Sequence, residues 1–201
     1  MGKILILNGS PRAPRSNSQA YADLFSKASR QETAYFNITK TNHLELCQRM
    51  EGFSDLLFVF PLYADSLPVT LLNFLKTLEA NPPQHKPTVS VLINCGFLEP
   101  EQNDVAVKIL ELYCRENGYP FGSVLKIGGG EAILTTPFAF LVRSKLKKLA
   151  VSLEKRAYGT WQVTMPITKK MFLKASTGYW INYGTKNGIT REQMATMKIE
   201  E

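Results

Sequence analysis

Short, predominantly apolar runs alternate along this chain with longer stretches of helical periodicity, and that alternation limits the folds open to it. Lys3–Asn8, Asp55–Phe60, Thr88–Asn94 and Phe121–Ile127 are rich in branched and aromatic residues, and Thr33–Ile38 is a weaker run of the same kind. A strand apolar on both faces must be covered on both faces, the condition of a parallel sheet with helices above and below. The intervening segments supply those helices. Asn17–Ser29 places Ala20, Tyr21, Leu24 and Phe25 at helical spacing, and Asn42–Glu51 does the same with Leu44, Cys47 and Met50. Leu67–Glu79 turns Leu71, Leu72, Leu75 and Leu78 inward, with Pro68 suited to its first turn. Glu101–Asn117 aligns Val105, Ile109, Leu112 and Tyr113 before Gly118, and Phe138–Arg156 is a fifth amphipathic stretch.

Five strand–helix units joined by right-handed crossovers predict a three-layer α/β sandwich, its five-stranded parallel sheet in the order 2-1-3-4-5. This domain is expected over 1–156. Residues 157–201 are expected to form a helical extension that packs on the core or on a dimer partner, with helices over Met165–Lys174 and Arg191–Met197. Tyr179, Trp180, Tyr183 and a Lys186-Asn187-Gly188 turn fall between those two helices.

Composition excludes several classes. At 201 residues and 44% hydrophobic, the chain can bury a core without metal or disulfide staples. Cys47, Cys95 and Cys114 are too widely spaced for a CxxC metal pair and read as reduced thiols. No apolar run reaches the roughly 18 residues of a membrane span, and Ile4–Leu7 is too short for a signal-peptide core. A cytoplasmic protein is therefore expected. The net charge of +7 is uneven: residues 139–201 carry 12 basic and 4 acidic side chains. A solvated helix face accounts for much of this, attraction of an anionic substrate is a second reading, and no nucleic-acid signature accompanies it.

In an open parallel sheet, ligands bind beyond the carboxyl ends of the strands. The first such loop, Asn8 to Ser18, holds Ser10, Arg12, Arg15, Ser16, Asn17 and Ser18, has no carboxylate, and opens a helix. Free N–H groups, the helix dipole and hydroxyl donors make it an anion site, although Ser16 or Asn17 could act simply as an N-cap. It is neither a Walker A loop nor Gly-x-Gly-x-x-Gly. The third loop, Phe60 to Pro68, is stiffened by two prolines and presents Tyr63 as an aromatic face for a planar ring. In the fourth, Asn94-Cys95-Gly96, the glycine permits close approach of a ligand. Cys95 is either a small packing residue or a thiol activated near a helix start. The fifth, Gly128-Gly129-Gly130-Glu131, is a flexible turn on the same rim.

Together these segments, with Ile93-Asn94-Cys95-Gly96-Phe97 and the tail Lys186-Asn187-Gly188-Ile189-Thr190, resemble the flavodoxin-like NAD(P)H-dependent flavin oxidoreductases, the NADPH-dependent FMN reductase group. The resemblance covers nearly the whole chain. It implies a flavodoxin-like sandwich, with FMN as cofactor and NADPH or NADH as donor. Ser10, Arg12, Ser16, Asn17 and Ser18 would lie around the phosphate. Pro61, Leu62, Tyr63, Asp65, Asn94, Cys95 and Gly96 would lie around the ring. Hydride would pass from nicotinamide to flavin N5, and electrons onward to a quinone, a nitro or azo compound, or free flavin. The flavin carries that chemistry, so no catalytic side chain is expected and neither His43 nor His85 is needed. The C-terminal extension and its aromatics lead to the expectation of a homodimer. Two departures are the basic, proline-bearing loop Pro11–Arg15, and Ala64, where relatives also carry larger residues.

Rival enzymes of the same architecture lack their key residues here. No cysteine precedes Cys47 to serve a Cys-x5-Arg phosphatase loop, and no histidine follows His85 to complete a serine hydrolase triad. A response regulator needs acidic residues where this chain has Asn8 and Pro61. A non-enzymatic FMN electron carrier or flavin sensor stays open as the alternative, as does an interaction module that has lost its cofactor.

Overall fold

The computed structural model describes residues 2–12 and 15–196. The middle of the first loop and the last residue of the expected Arg191–Met197 helix lie outside the described residues. Strands and helices alternate as β1 (Lys3–Asn8), α1 (Asn17–Ala28), β2 (Glu32–Asn37), α2 (His43–Arg49), β3 (Asp55–Pro61), α3 (Val69–Ala80), β4 (Thr88–Asn94), α4 (Asp104–Glu116), β5 (Phe121–Ile127), α5 (Ala139–Lys155) and β6 (Thr160–Val163). The sheet runs β2-β1-β3-β4-β5-β6 with every neighbouring pair parallel.

The expected order holds through five strands, and a sixth is added beyond β5. It arises within the stretch expected to be helical. Its four residues, Thr-Trp-Gln-Val, alternate in burial, so no continuous apolar run marks it. Arg156 ends α5 in the left-handed conformation with φ 52°, and the chain then turns into β6.

Alternate strand residues feed two cores. Leu5, Leu7, Leu56, Phe58, Phe60, Val91 and Ile93 face a cluster completed by Leu46, Leu71, Phe74, Leu78 and Leu110 from α2, α3 and α4, and by Met50 from the turn after α2. Ile4, Ile6, Leu57, Val59, Leu92 and Leu125 are equally buried but lie outside that cluster, and α1 packs against α5 with Tyr21, Phe25, Val142, Leu146 and Leu149 sealed from water. Both sheet faces are therefore covered, as the apolar strands require.

Parallel register brings the strand ends into one row. Asn8 stands opposite Asn37 and Val59, Pro61 opposite Asn94, and Asn94 opposite Ile127. Polar residues thus end apolar strands along a single edge.

Residues 1–165 form one compact unit and 166–201 a second. The second comprises α6 (Lys169–Lys186) and α7 (Arg191–Ala195). Here α6 is longer than expected and includes Tyr179, Trp180 and Tyr183, with the two tyrosine rings stacked and the Trp180 ring edge-on to both. It ends at Gly188, φ 78°, where Ile189 N–H bonds Gly184 C=O at 3.0 Å and Gly188 N–H bonds Thr185 C=O at 3.1 Å. This is a Schellman ending, which needs the left-handed residue. Thr190 and Gln193 form a capping box that starts α7.

Candidate functional site

A cleft of about 380 Å³ opens on the carboxyl edge of the sheet. Its wall comprises Ser10, Pro11, Arg12, Arg15, Ser16, Asn17, Ser18, Pro61, Leu62, Tyr63, Asn94, Cys95, Gly96 and Glu131. That volume lies within the range of small-ligand and cofactor sites.

One end of the cleft is the first loop and the start of α1. Ser16 is the N-cap, its Oγ accepting from Gln19 N–H at 3.2 Å. Among the described residues, the N–H groups of Asn17 and Ser18 have no acceptor, so they face the cleft with the positive end of the helix dipole. Ser10 and Ser18 are 4% and 1% exposed, which places their hydroxyls in the wall rather than in bulk water. Arg12 and Arg15 add positive charge at the rim. Behind the loop, wholly buried Asn8 accepts from Ser10 N–H at 2.9 Å and donates to Tyr35 Oη at 2.8 Å.

The other end is built from the loops after β3 and β4. Leu62 N–H bonds Asn94 C=O at 2.7 Å, so β3 and β4 stay paired to the cleft edge. Tyr63 and Ser66 then exchange hydrogen bonds of 3.1 and 3.0 Å across a two-residue turn. Its central residues, Ala64 and Asp65, have φ of 48° and 55°. Two successive positive φ values mark a type I′ turn, normally made by Asn-Gly or Gly-Gly. The turn holds Tyr63 out at 56% exposure, where its ring can cover a bound group. Asn94 links the two ends: its Nδ2 donates to Ser18 Oγ at 3.1 Å and to Phe60 C=O at 3.2 Å.

The loop after β5 closes the base. Gly129 has φ 58°, and a Cβ on Gly130 would stand 2.8 Å from Asn94 Cβ, so this stretch must be glycine to pass so close to β4. Gly130 N–H bonds Cys95 C=O at 2.7 Å, and Tyr21 Oη donates to Gly130 C=O at 2.6 Å, tying α1 to the same turn. Glu131 is thereby set beside Gly96.

Of the twelve residues expected around the cofactor, eleven line this cleft. The exception is Asp65, which occupies the tip of the type I′ turn, exposed and away from the wall. Pro11, Arg15 and Glu131 line it as well. The support from Asn8, Tyr35 and Asn37 has a sequence signal in retrospect, namely polar residues ending paired strands. Cys95 is 2% exposed; Asn103 Nδ2 donates to its Sγ at 3.3 Å, and burial pushes its thiol pKa up. The arrangement is that of a packing thiol rather than an activated nucleophile. His43 begins α2 and packs edge-on to Phe74, away from the cleft.

Neither family models nor curated protein sequences match this chain. Solved structures do. An NAD(P)H:quinone oxidoreductase from Methanothermobacter marburgensis is 13% identical, with 76% of this chain and 97% of that one covered and a TM-score of 0.59. An FMN-dependent NADH-azoreductase from Bacillus anthracis, in complex with FMN, is 15% identical with 76% and 99% covered and a TM-score of 0.57. A flavodoxin from Streptococcus pneumoniae TIGR4 is 14% identical with 77% and 99% covered and a TM-score of 0.57. Likeness at these identities is likeness of fold. The chain has the flavodoxin-like architecture, with one strand added at the β5 edge.

Proposed function

We propose that this chain is an FMN-dependent oxidoreductase that takes hydride from NADPH or NADH and passes the electrons to a small acceptor such as a quinone, a nitro or azo compound, or free flavin. The observation that carries this reading is the single cleft in which a donor-rich anion end meets an apolar, aromatic end. FMN has that same polarity: a phosphate at one end and a flat ring at the other. The donor set suits it. The first loop and the start of α1 bring three serines, two arginines and two backbone N–H groups unbonded among the described residues to one end, and Glu131, beside Gly96, is the one acidic lining residue. The FMN-complexed azoreductase and the quinone oxidoreductase of like fold support the same assignment.

When bound, FMN would supply the two-electron chemistry, and the protein's part is to bind, orient and shield. Ser10, Arg12, Arg15, Ser16, Asn17 and Ser18 would hold the phosphate. Pro61, Leu62 and Tyr63 would cover one side of the ring, with Asn94, Cys95 and Gly96 along its edge.

The test is a visible spectrum of the purified protein before and after FMN titration, followed by NADPH and then a quinone. Micromolar binding, bleaching by NADPH and reoxidation by quinone are expected. Binding without NAD(P)H oxidation would favour the electron-carrier reading, to which the flavodoxin likeness also points. No binding would remove the assignment. The exposed Tyr179–Trp180–Tyr183 stripe supports pairing of two copies, which light scattering after size exclusion would register as twice the chain mass.

A further inference from the structure

The buried amide of Asn8 has a defined orientation. Its Oδ1 accepts from the backbone N–H of Ser10 at 2.9 Å, and a backbone N–H can only donate, so the other atom is Nδ2. That nitrogen has two hydrogens for three acceptors, Ser16 Oγ at 3.3 Å, Tyr35 Oη at 2.8 Å and Asn37 Oδ1 at 3.2 Å; the last two lie 2.7 Å apart and can share one, which leaves the other for Ser16. Tyr35 in turn donates to Asn37 Oδ1 at 2.7 Å. Burial raises the Tyr35 pKa above the ordinary 10.0, so its hydroxyl keeps the proton this chain of bonds requires.

Ser16 Oγ accepts from Gln19 N–H at 3.2 Å and from Asn8 Nδ2 at 3.3 Å. A hydroxyl has two acceptor lone pairs and one donor hydrogen. With both lone pairs engaged, the remaining hydrogen has no acceptor among the described residues, and Ser16 lines the cleft. Ser18 and Ser10 show the same bias: their Oγ atoms accept from Asn94 Nδ2 at 3.1 Å and from Arg12 N–H at 3.3 Å.

We propose that Asn8 is a positioning residue that polarises the anion end of the cleft: by occupying the acceptor side of Ser16 from behind, it leaves that hydroxyl as a committed donor to a ligand oxyanion. The inference rests on the reading of this end as the phosphate site of FMN. It adds that the site discriminates. An acceptor-only phosphate is matched at every position, whereas a ligand ending in a hydroxyl, such as riboflavin, must bring its own donor against donors.

The test is Asn8→Asp. The shape and the acceptor for Ser10 N–H are kept, while the amide donor becomes an acceptor. Ser16 then donates backward, and the cleft loses a donor and gains a negative charge behind it. The Kd for FMN is expected to rise at least about tenfold, the scale of one charge-assisted hydrogen bond, while the Kd for riboflavin stays within about twofold. Equal loss for both ligands, or no loss for either, would overturn the proposal. Should N8D fail to fold by circular dichroism, Ser16→Ala decides the matter, because it removes the hydroxyl that Asn8 commits as donor: a loss confined to FMN supports the polarised loop, and an equal loss or none overturns it. If the wild type binds neither flavin, the cofactor reading fails on its own. Inorganic phosphate then serves as probe: a rise in thermal midpoint for wild type but not for the variant would uphold the polarity of the loop, and the same response in both would refute it.

Discussion

Replacing Ala64 with glycine should make the protein more stable and a poorer flavin binder. Ala64 and Asp65 hold φ of 48° and 55° in the turn that carries Tyr63. Asparagine and aspartate tolerate this region through local hydrogen bonds, but alanine has no such relief, and its Cβ costs about 1–2 kcal/mol there. Glycine removes that clash while adding about 0.4–1 kcal/mol of unfolded-state entropy. The balance favours A64G by about 0.5–1 kcal/mol. For a chain of this length that corresponds to a thermal midpoint higher by about 1–4 °C. The turn is closed by two backbone bonds, Tyr63 N–H to Ser66 C=O at 3.1 Å and the reverse at 3.0 Å, so its shape survives the substitution while its stiffness does not. Tyr63 would sample more orientations, and FMN affinity should drop a few-fold. Calorimetry of the ligand-free variant and fluorescence titration with FMN read the two effects separately. A lower midpoint would show that Ala64 is not strained. A raised midpoint with unaltered FMN affinity would show that the strain has no part in presenting Tyr63.

Other perturbations test the supports of the cleft. Tyr21→Phe removes a wholly buried hydroxyl that donates to Gly130 C=O at 2.6 Å and should lower urea stability by about 1–2 kcal/mol. Burial raises the Cys114 thiol from 9.0 to about 12, and the folded state therefore keeps a proton that the unfolded chain loses. That contribution is complete below pH 9 and fades as pH rises toward 12, so stability should decline over that interval less steeply in Cys114→Ala than in wild type. Lys126 Nζ meets Asp104 Oδ1 at 2.6 Å, with the lysine side chain 10% exposed and the aspartate 46%. Asp104→Ala strands the buried cation and should cost about 3 kcal/mol by urea unfolding, whereas Lys126→Met leaves a carboxylate that water can reach and should cost under about 1 kcal/mol.

The parallel core was legible because burial on both faces demands apolar strands, and five such runs stand out in the sequence. β6 was not, since Thr160–Val163 is an edge strand of four residues whose alternating pattern is too short to carry a period. Nor was the continuation of α6 past the expected end at Lys174, since its exposed aromatics fit no amphipathic stripe; only Gly184 is buried along its length. Loop membership in the cleft could be read from chemical type, as with Ser16, Asn17 and Ser18, because polar residues at a strand end that opens a helix have few other roles. The turn at Ala64-Asp65 could not, because neither residue is the glycine or asparagine that announces positive φ. Asp65, which the family resemblance sets beside the ring, is carried to the tip by that unannounced turn.

The two ends of the cleft are organised by different means, and the difference follows from where each lies in the sheet. β1 lies beside β2, so the Asn8 side chain at its end finds partners in Tyr35 and Asn37 of β2 and in Ser10 and Ser16 of the first loop, and can be held by hydrogen bonds alone. The chain after Pro61 leaves the sheet for α3 and has no strand beside Tyr63. Its shape must come from the backbone itself, at the expense of a residue in an unfavourable region. Asn94 joins the two, donating to Ser18 on one side while its carbonyl holds Leu62 on the other. A planar group bound between Tyr63 and Gly96, with its anion at Ser16–Ser18, would thus meet one end fixed by a satisfied polar network and another fixed by strain. Both arrangements exist before any ligand arrives, which is the condition for binding without a large ordering cost.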